Sequence, residues 1–217
     1  MTSKKGFCWE IFNRVPLVGI VRGAAFGDFM ELLTICRKTG LTTLEITMNT
    51  PEVEKLIAYA NEEVGHVMNI GAGTVCTEEE LEKALLAGSQ FIVTPSINEK
   101  VITACVNKGI PVFPGALTPT EIFKAWSLGA PVIKVFPATQ MGSEYIRDIR
   151  GPFPQIPLLP TGGVKIENLK AYAGAGASGF GLGGSLFPKA LIEAQKWTEL
   201  ESHIKSYIDE IVTLYQK

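Results

Sequence analysis

Histidine is nearly absent from this chain: only His66 and His203 occur in 217 residues, far apart and without ligand-spaced neighbours. That argues against a transition-metal site built on imidazoles, which needs clustered ligands. The expectation is therefore no such metal. Cysteine is scarce too. Cys8, Cys36, Cys76 and Cys105 are widely spaced and form no C-x-x-C pair, so they read as reduced, mostly packing thiols of a cytoplasmic protein. No run of about 18 apolar residues occurs, which argues against a membrane span. Met1 to Arg14 lacks the long apolar core and small-residue cleavage site of a signal peptide. There is no basic stripe: 20 Lys and Arg face 22 Asp and Glu, a net charge of −2, so nucleic acid is not the expected partner. The cluster Glu78-Glu79-Glu80 reads as the solvated first turn of a helix, where the macrodipole favours acids. Low-complexity segments and linkers are also lacking, so residues 1–217 are read as a single domain.

What the chain does have is apolar residue, 46% of it, enough for a sizeable core. Short β-branched runs alternate with helix-length segments. The expected strands are Val15–Val21, Thr43–Met48, Val67–Ile70, Gln90–Thr94, Pro111–Phe113, Val132–Phe136, Pro157–Leu159 and Ser178–Leu182. Strands alternating with helices imply parallel βαβ units, and eight of them closing on themselves give an α/β (β/α)8 barrel. An open doubly wound sheet is the alternative architecture. Gly40, Gly65, Gly88, Gly109 and Gly129 stand where helices should end. Thr77 with Glu80 forms a capping box, and Asn98 and Thr118 read as N-caps, the latter followed by Pro119. An extra N-terminal helix, about Ser3–Asn13, is expected to cover the barrel bottom, and Ala190 to Tyr215 to supply the last helix and a tail.

In such barrels chemistry sits at the C-terminal ends of the strands. The sixth strand reads Val132-Ile133-Lys134-Val135-Phe136-Pro137. Side chains alternate across a strand, so Lys134 and Phe136 should face the interior and Ile133 and Val135 the helices. Burial disfavours an ammonium, which lowers the amine pKa and makes it a nucleophile. The competing reading is a lysine paired structurally with a buried acid. The second strand places Thr43, Glu45, Thr47 and Asn49 inside. Glu45 is then either a general base or the structural partner of Lys134. Strands seven and eight end in Thr161-Gly162-Gly163 and Gly181-Leu182-Gly183-Gly184-Ser185. Adjacent glycines let backbone N–H groups approach an anion, and these two loops frequently hold phosphate in such barrels. Tight turns alone would be the plainer explanation. Arg22 could clamp a carboxylate bidentately, with Thr74 donating to the same group.

The segments Leu44-Glu45-Ile46-Thr47, Ile70-Gly71-Ala72-Gly73-Thr74-Val75, Phe91-Ile92-Val93-Thr94-Pro95, Ile133-Lys134-Val135-Phe136-Pro137-Ala138 and Pro160-Thr161-Gly162-Gly163 occur in this order. Together they resemble the 2-keto-3-deoxy-6-phosphogluconate aldolase family, whose members often also cleave 4-hydroxy-2-oxoglutarate. The resemblance runs from about Val15 to Phe187 and implies a homotrimeric, metal-free class I aldolase that needs no external cofactor and acts on a phosphorylated 2-keto acid. It implies that Lys134 forms the Schiff base and Glu45 shuttles protons. Thr74 would help hold the substrate carboxylate, Pro95 and Phe136 would wall the pocket, and Gly162, Gly163, Gly184 and Ser185 would receive the phosphate. Thr161 stands at the position linked with stereochemical preference at C4. One position departs: Asn49 stands where many members carry an arginine for the pyruvate carboxylate. The run Thr47-Met48-Asn49-Thr50-Pro51 resembles the related 2-keto-3-deoxy-6-phosphogalactonate aldolase, which uses an arginine placed like Arg22. The carboxylate clamp is therefore expected at Arg22 and Thr74, with Asn49 as a weaker polar contact. Outside this class, the alternatives are a phosphosugar isomerase or epimerase with Glu45 as base, and a non-catalytic phosphosugar-binding barrel.

Overall fold

Nine short strands, every pair of neighbours parallel, form the centre of the computed structural model, which describes residues 6–215. They are β1 (Leu17–Val21), β2 (Thr43–Thr47), β3 (Asn69–Gly73), β4 (Ile92–Val93), β5 (Val112–Phe113), β6 (Gly115–Ala116), β7 (Ile133–Val135), β8 (Leu158–Pro160) and β9 (Phe180–Leu182). Six pair in the order β5-β4-β3-β2-β1-β9 and three in the order β6-β7-β8. The two sheets are one barrel with eight positions, because β5 and β6 are the halves of one strand broken at Pro114. Proline has no N–H to give the ladder, yet its carbonyl still accepts from Lys134 N–H at 2.9 Å. Gly115 keeps contact with the preceding strand, donating to Thr94 O at 3.0 Å. At the other seam Ser178 N–H donates to Leu158 O at 2.8 Å, and Thr161 bridges to Gly181. Closure leaves no exposed sheet edge, and the open-sheet alternative falls away.

The helices between strands are α2 (Phe26–Thr39), α3 (Val53–Val64), α4 (Glu78–Leu86), α5 (Glu99–Asn107), α6 (Pro119–Ser127), α7 (Gly142–Arg150) and α8 (Leu169–Gly174), preceded by α1 (Trp9–Arg14) and followed by α9 (Lys189–Glu193) and α10 (Trp197–Tyr215). Their starts follow local chemistry. Thr77 and Thr118 each form a full capping box with the glutamate three residues on, and Asn98 accepts from Lys100 and Val101 N–H. Gly40, Gly88, Gly109 and Gly129 end helices with positive φ, which a side chain resists. Gly65 does not: its φ is −59°, so its helix ends without a left-handed residue.

Strand alternation divides the apolar residues into two layers. Leu44, Ile46, Ile70, Ala72, Ile133 and Val135 point outward and join the helices in the main core. Val18, Phe91, Val93, Phe113, Val132 and Leu159 point inward and form a second cluster inside the barrel. The N-terminal helix is shorter than expected, beginning at Trp9, and residues 3–5 of the expected segment lie outside the described residues. Phe7 and Trp9 precede and open it and pack with Phe12 against Phe113, and Phe7 also meets Phe91, so aromatic rings close one barrel end. The buried Asn69 amide fixes this plug, accepting from Cys8 N–H at 2.8 Å and donating to Cys8 O at 3.1 Å. The other end is left open for chemistry.

Candidate active site

A cavity of about 1000 Å³ opens at the C-terminal ends of the strands. Ten of the twelve residues singled out from the sequence line it: Arg22, Thr74, Pro95, Lys134, Phe136, Thr161, Gly162, Gly163, Gly184 and Ser185. Glu45 lies in the barrel interior, 1% exposed. Asn49 is the exception. The strand stops at Thr47, where Thr50 N–H turns back to Thr47 O at 2.9 Å, so the alternation ends before Asn49. Asn49 is exposed in that turn and is absent from the cavity wall, which corrects its expected interior position.

Lys134 is buried, 6% exposed, in the middle of β7, between Gly115 on β6 and Leu159 on β8. Its neighbours Ile133 and Val135 are fully buried against helices, so alternation alone turns the amine inward. Its Nζ lies 4.8 Å from the centre of the Phe136 ring, a cation–π distance. Among the described residues it forms no direct ion pair. Burial holds its pKa below the ordinary lysine value; the Glu45 charge acts against this and Arg22 with it. Glu45 sits across the barrel on β2, registered with Ile20 and Gly71. Burial raises its pKa, opposed by Lys134 and Arg22, and its Oε2 has no hydrogen-bond partner among the described residues. Both shifts favour the neutral forms. A neutral amine is a nucleophile, and a carboxyl whose pKa is raised holds its proton more readily, as an acid–base group must.

Space for Glu45 comes from a glycine that sequence reasoning passed over. A Cβ on Gly73 would stand 1.6 Å from Glu45 Oε1 and 2.2 Å from its Cδ. The Thr161 hydroxyl has the same relation to Gly181, whose added Cβ would lie 2.1 Å away. No local signal distinguishes these glycines from turn glycines; only the barrel brings the neighbouring strands into register.

Arg22 Nη2 donates to Thr74 Oγ1 at 3.3 Å, joining the ends of β1 and β3. Thr74 holds φ 57°, a left-handed backbone costly for a β-branched residue. The Arg22-Gly23 loop is tied down by Gly23 N–H donating to Thr50 Oγ1 at 3.0 Å, and Thr50 in turn meets Thr47 Oγ1 at 3.2 Å. This buried Thr47–Thr50 pair was not foreseen.

The two glycine loops differ. Gly162 and Gly163 have φ of +88° and +72°, and a Cβ on Gly163 would press on Thr139 Cα at 2.6 Å. Here glycine is required by the backbone. Gly184 has ordinary φ and nothing within 4 Å of an added Cβ, because it borders open cavity. Lys165 and Lys189 also line the cavity. They are cations near these loops that no local sequence signal singles out.

A buried amine in the cavity wall, with a buried carboxyl in the barrel interior, marks the catalytic end of a (β/α)8-barrel enzyme. A family model described as "Aldolase: KDPG and KHG aldolase" matches residues 9–203. A 2-dehydro-3-deoxy-6-phosphogalactonate aldolase of Escherichia coli (strain K12) is 32% identical, covering 94% of this chain and 98% of its own. A 2-dehydro-3-deoxy-phosphogluconate aldolase of Haemophilus influenzae is also 32% identical, covering 93% and 95%. A solved structure of a Legionella pneumophila KDPG aldolase, described with pyruvate captured as a covalent carbinolamine, superposes with TM-score 0.84 at 25% identity, over 91% of this chain and 96% of its own. The chain belongs to the KDPG and KHG aldolase family. It is a carbon–carbon lyase.

Proposed function

We propose that this protein cleaves 2-keto-3-deoxy-6-phosphogluconate to pyruvate and glyceraldehyde 3-phosphate through a Schiff base on Lys134. A second activity on 4-hydroxy-2-oxoglutarate, giving pyruvate and glyoxylate, belongs to the same reading. The observation that carries it is Lys134 itself: a lysine on an apolar strand, 6% exposed, lining the cavity and, among the described residues, without a direct ion pair. A purely structural lysine would be expected to contact its acid, since an unpaired buried charge is expensive.

The steps follow from these groups. Neutral Lys134 adds to the C2 ketone, and Glu45 carries protons as the carbinolamine loses water to give an iminium. Glu45, directly or through a water, takes the C4 hydroxyl proton. The C3–C4 electron pair moves toward the iminium, glyceraldehyde 3-phosphate departs and an enamine remains. Protonation at C3 and hydrolysis release pyruvate and regenerate the amine. Dividing the reaction this way replaces one difficult step with easier ones. Arg22 and Thr74 would hold the carboxylate, Pro95 and Phe136 wall the reacting carbons, and Gly162, Gly163, Gly184 and Ser185 take the phosphate, while Asn49 has no part in the site. We read residues 1–217 as one cytoplasmic barrel domain that assembles as a homotrimer.

The 2-keto-3-deoxy-6-phosphogalactonate substrate is the second reading, favoured by the Arg22–Thr74 contact and by Asn49 standing outside the cavity. Thr161, buried in the wall, favours the gluconate epimer. Incubation with pyruvate and borohydride, followed by intact mass, tests the chemistry. A pyruvate-derived adduct that disappears in Lys134→Ala supports it; folded protein without adduct overturns it in favour of an isomerase or a binding barrel. Comparing kcat/KM on the two phosphorylated keto acids then decides the epimer.

A further inference from the structure

The last helix reaches both glycine loops from behind. His203 Nε2 lies 2.7 Å from the backbone oxygen of Ser185. A carbonyl only accepts, so Nε2 carries a proton and donates. One turn later, the Tyr207 ring packs on the His203 ring with centres 5.1 Å apart. Tyr207 is 4% exposed, and its hydroxyl faces the Ile166 backbone and the Ser185 side chain, both of which favour its ionised form against the effect of burial. Ile166 ends the loop that begins at Gly162-Gly163, and Ser185 ends the loop of Gly183-Gly184. Two side chains on one helix face therefore stand against both loops.

The support behind them is firm. Leu200, Ile204, Ile208 and Ile211 of α10 are buried in the main core, and Glu201 pairs with Lys38 of α2 at 2.8 Å. The first loop is also closed on itself: Asn168 donates to Gly163 O at 3.0 Å and accepts from Lys165 N–H at 2.8 Å. Neither His203 nor Tyr207 lines the cavity.

We propose that His203 and Tyr207 are positioning residues that hold the two loops at the spacing a phosphate group requires, so that α10 governs affinity for the phosphorylated end of the substrate without touching it. This rests on the assignment of the phosphate to these loops made above. Hydrogen bonds to a phosphate weaken steeply when donors move from their optimal distance, and glycine loops have little stiffness of their own. Restraint from behind supplies the order in advance of binding.

The test uses the full chain with Tyr207→Phe, which removes only the hydroxyl, and His203→Leu and His203→Gln, which remove and retain a donor. Two rates are read: cleavage of the phosphorylated keto acid and borohydride trapping of pyruvate on Lys134. Tyr207→Phe and His203→Leu should raise KM for the phosphorylated acid roughly tenfold. Trapping of pyruvate should stay at the parent rate, and His203→Gln should recover much of the loss. Equal loss of both rates would show general structural damage and overturn the proposal, as would no loss in either. If the parent chain forms the pyruvate adduct but does not prefer the phosphorylated acid over its dephosphorylated form, the phosphate assignment fails first and this proposal with it.

Discussion

Gly73 and Glu45 occupy one space between them: the hydrogen on the glycine Cα is where any side chain would collide with the carboxylate, 1.6 Å from Oε1. Gly73 lacks the positive φ that would make its backbone unsuitable for alanine, so the contact alone is at stake. Gly73→Ala should lower kcat by about 10²-fold, the low end of what a positioned acid–base contributes. Combined with Glu45→Ala, which vacates the space, it should cost little further, because the two changes act through one group. A double-mutant cycle on kcat checks this; independent, additive losses would sink it.

Lys134 carries a cost to stability. Its folded pKa lies below 10.5, so the unfolded chain binds the ammonium proton more tightly than the folded one. The penalty is full below the folded pKa and is relieved as pH rises toward the ordinary lysine value. Lys134→Met should abolish adduct formation and raise Tm by roughly 2–4 °C near neutrality. The gain should shrink as pH increases. Thermal melts across pH would expose an error in either sign.

The pH profile of adduct formation reports the same amine. Only neutral Lys134 attacks, so the acidic limb marks its pKa. Glu45 raises that pKa and Arg22 lowers it. Glu45→Gln should therefore move the limb to lower pH and Arg22→Leu to higher pH, whatever happens to the absolute rates. Trapping rates measured with pyruvate across pH would refute this by showing both midpoints moving the same way.

At the closed end, Phe113 is fully buried among Phe7, Trp9, Phe12 and Phe91. Phe113→Ala should cost about 3–5 kcal/mol of stability through lost contacts and the cavity left behind. The site lies at the opposite barrel end, so kcat of the folded enzyme should change little. Urea unfolding and kcat measured on the same samples test both halves.

Much of this was legible in the chain. Period-two alternation around Lys134 and Glu45 places both inside, and the capping boxes at Thr77 and Thr118 are local chemistry that tertiary context did not override. Strand ends were less legible. The third strand runs to Gly73 rather than stopping at Ile70, because its pairing with Thr43–Thr47 extends it through residues of low strand preference. The break at Pro114 and the exclusion of Asn49 also come from pairing and turning, which propensity does not encode.

The sequence by itself determined the repeating βα order, which face of each strand is apolar, the lysine on its apolar strand and the glycine pairs after the last two strands. Those depend on neighbours a few residues away. Only the tertiary structure decided that β9 closes on β8 and β1, that Gly73 vacates the space of Glu45, and that His203 and Tyr207 stand behind the glycine loops. These are contacts between distant segments, fixed by strand register and helix packing, and no local pattern announces them.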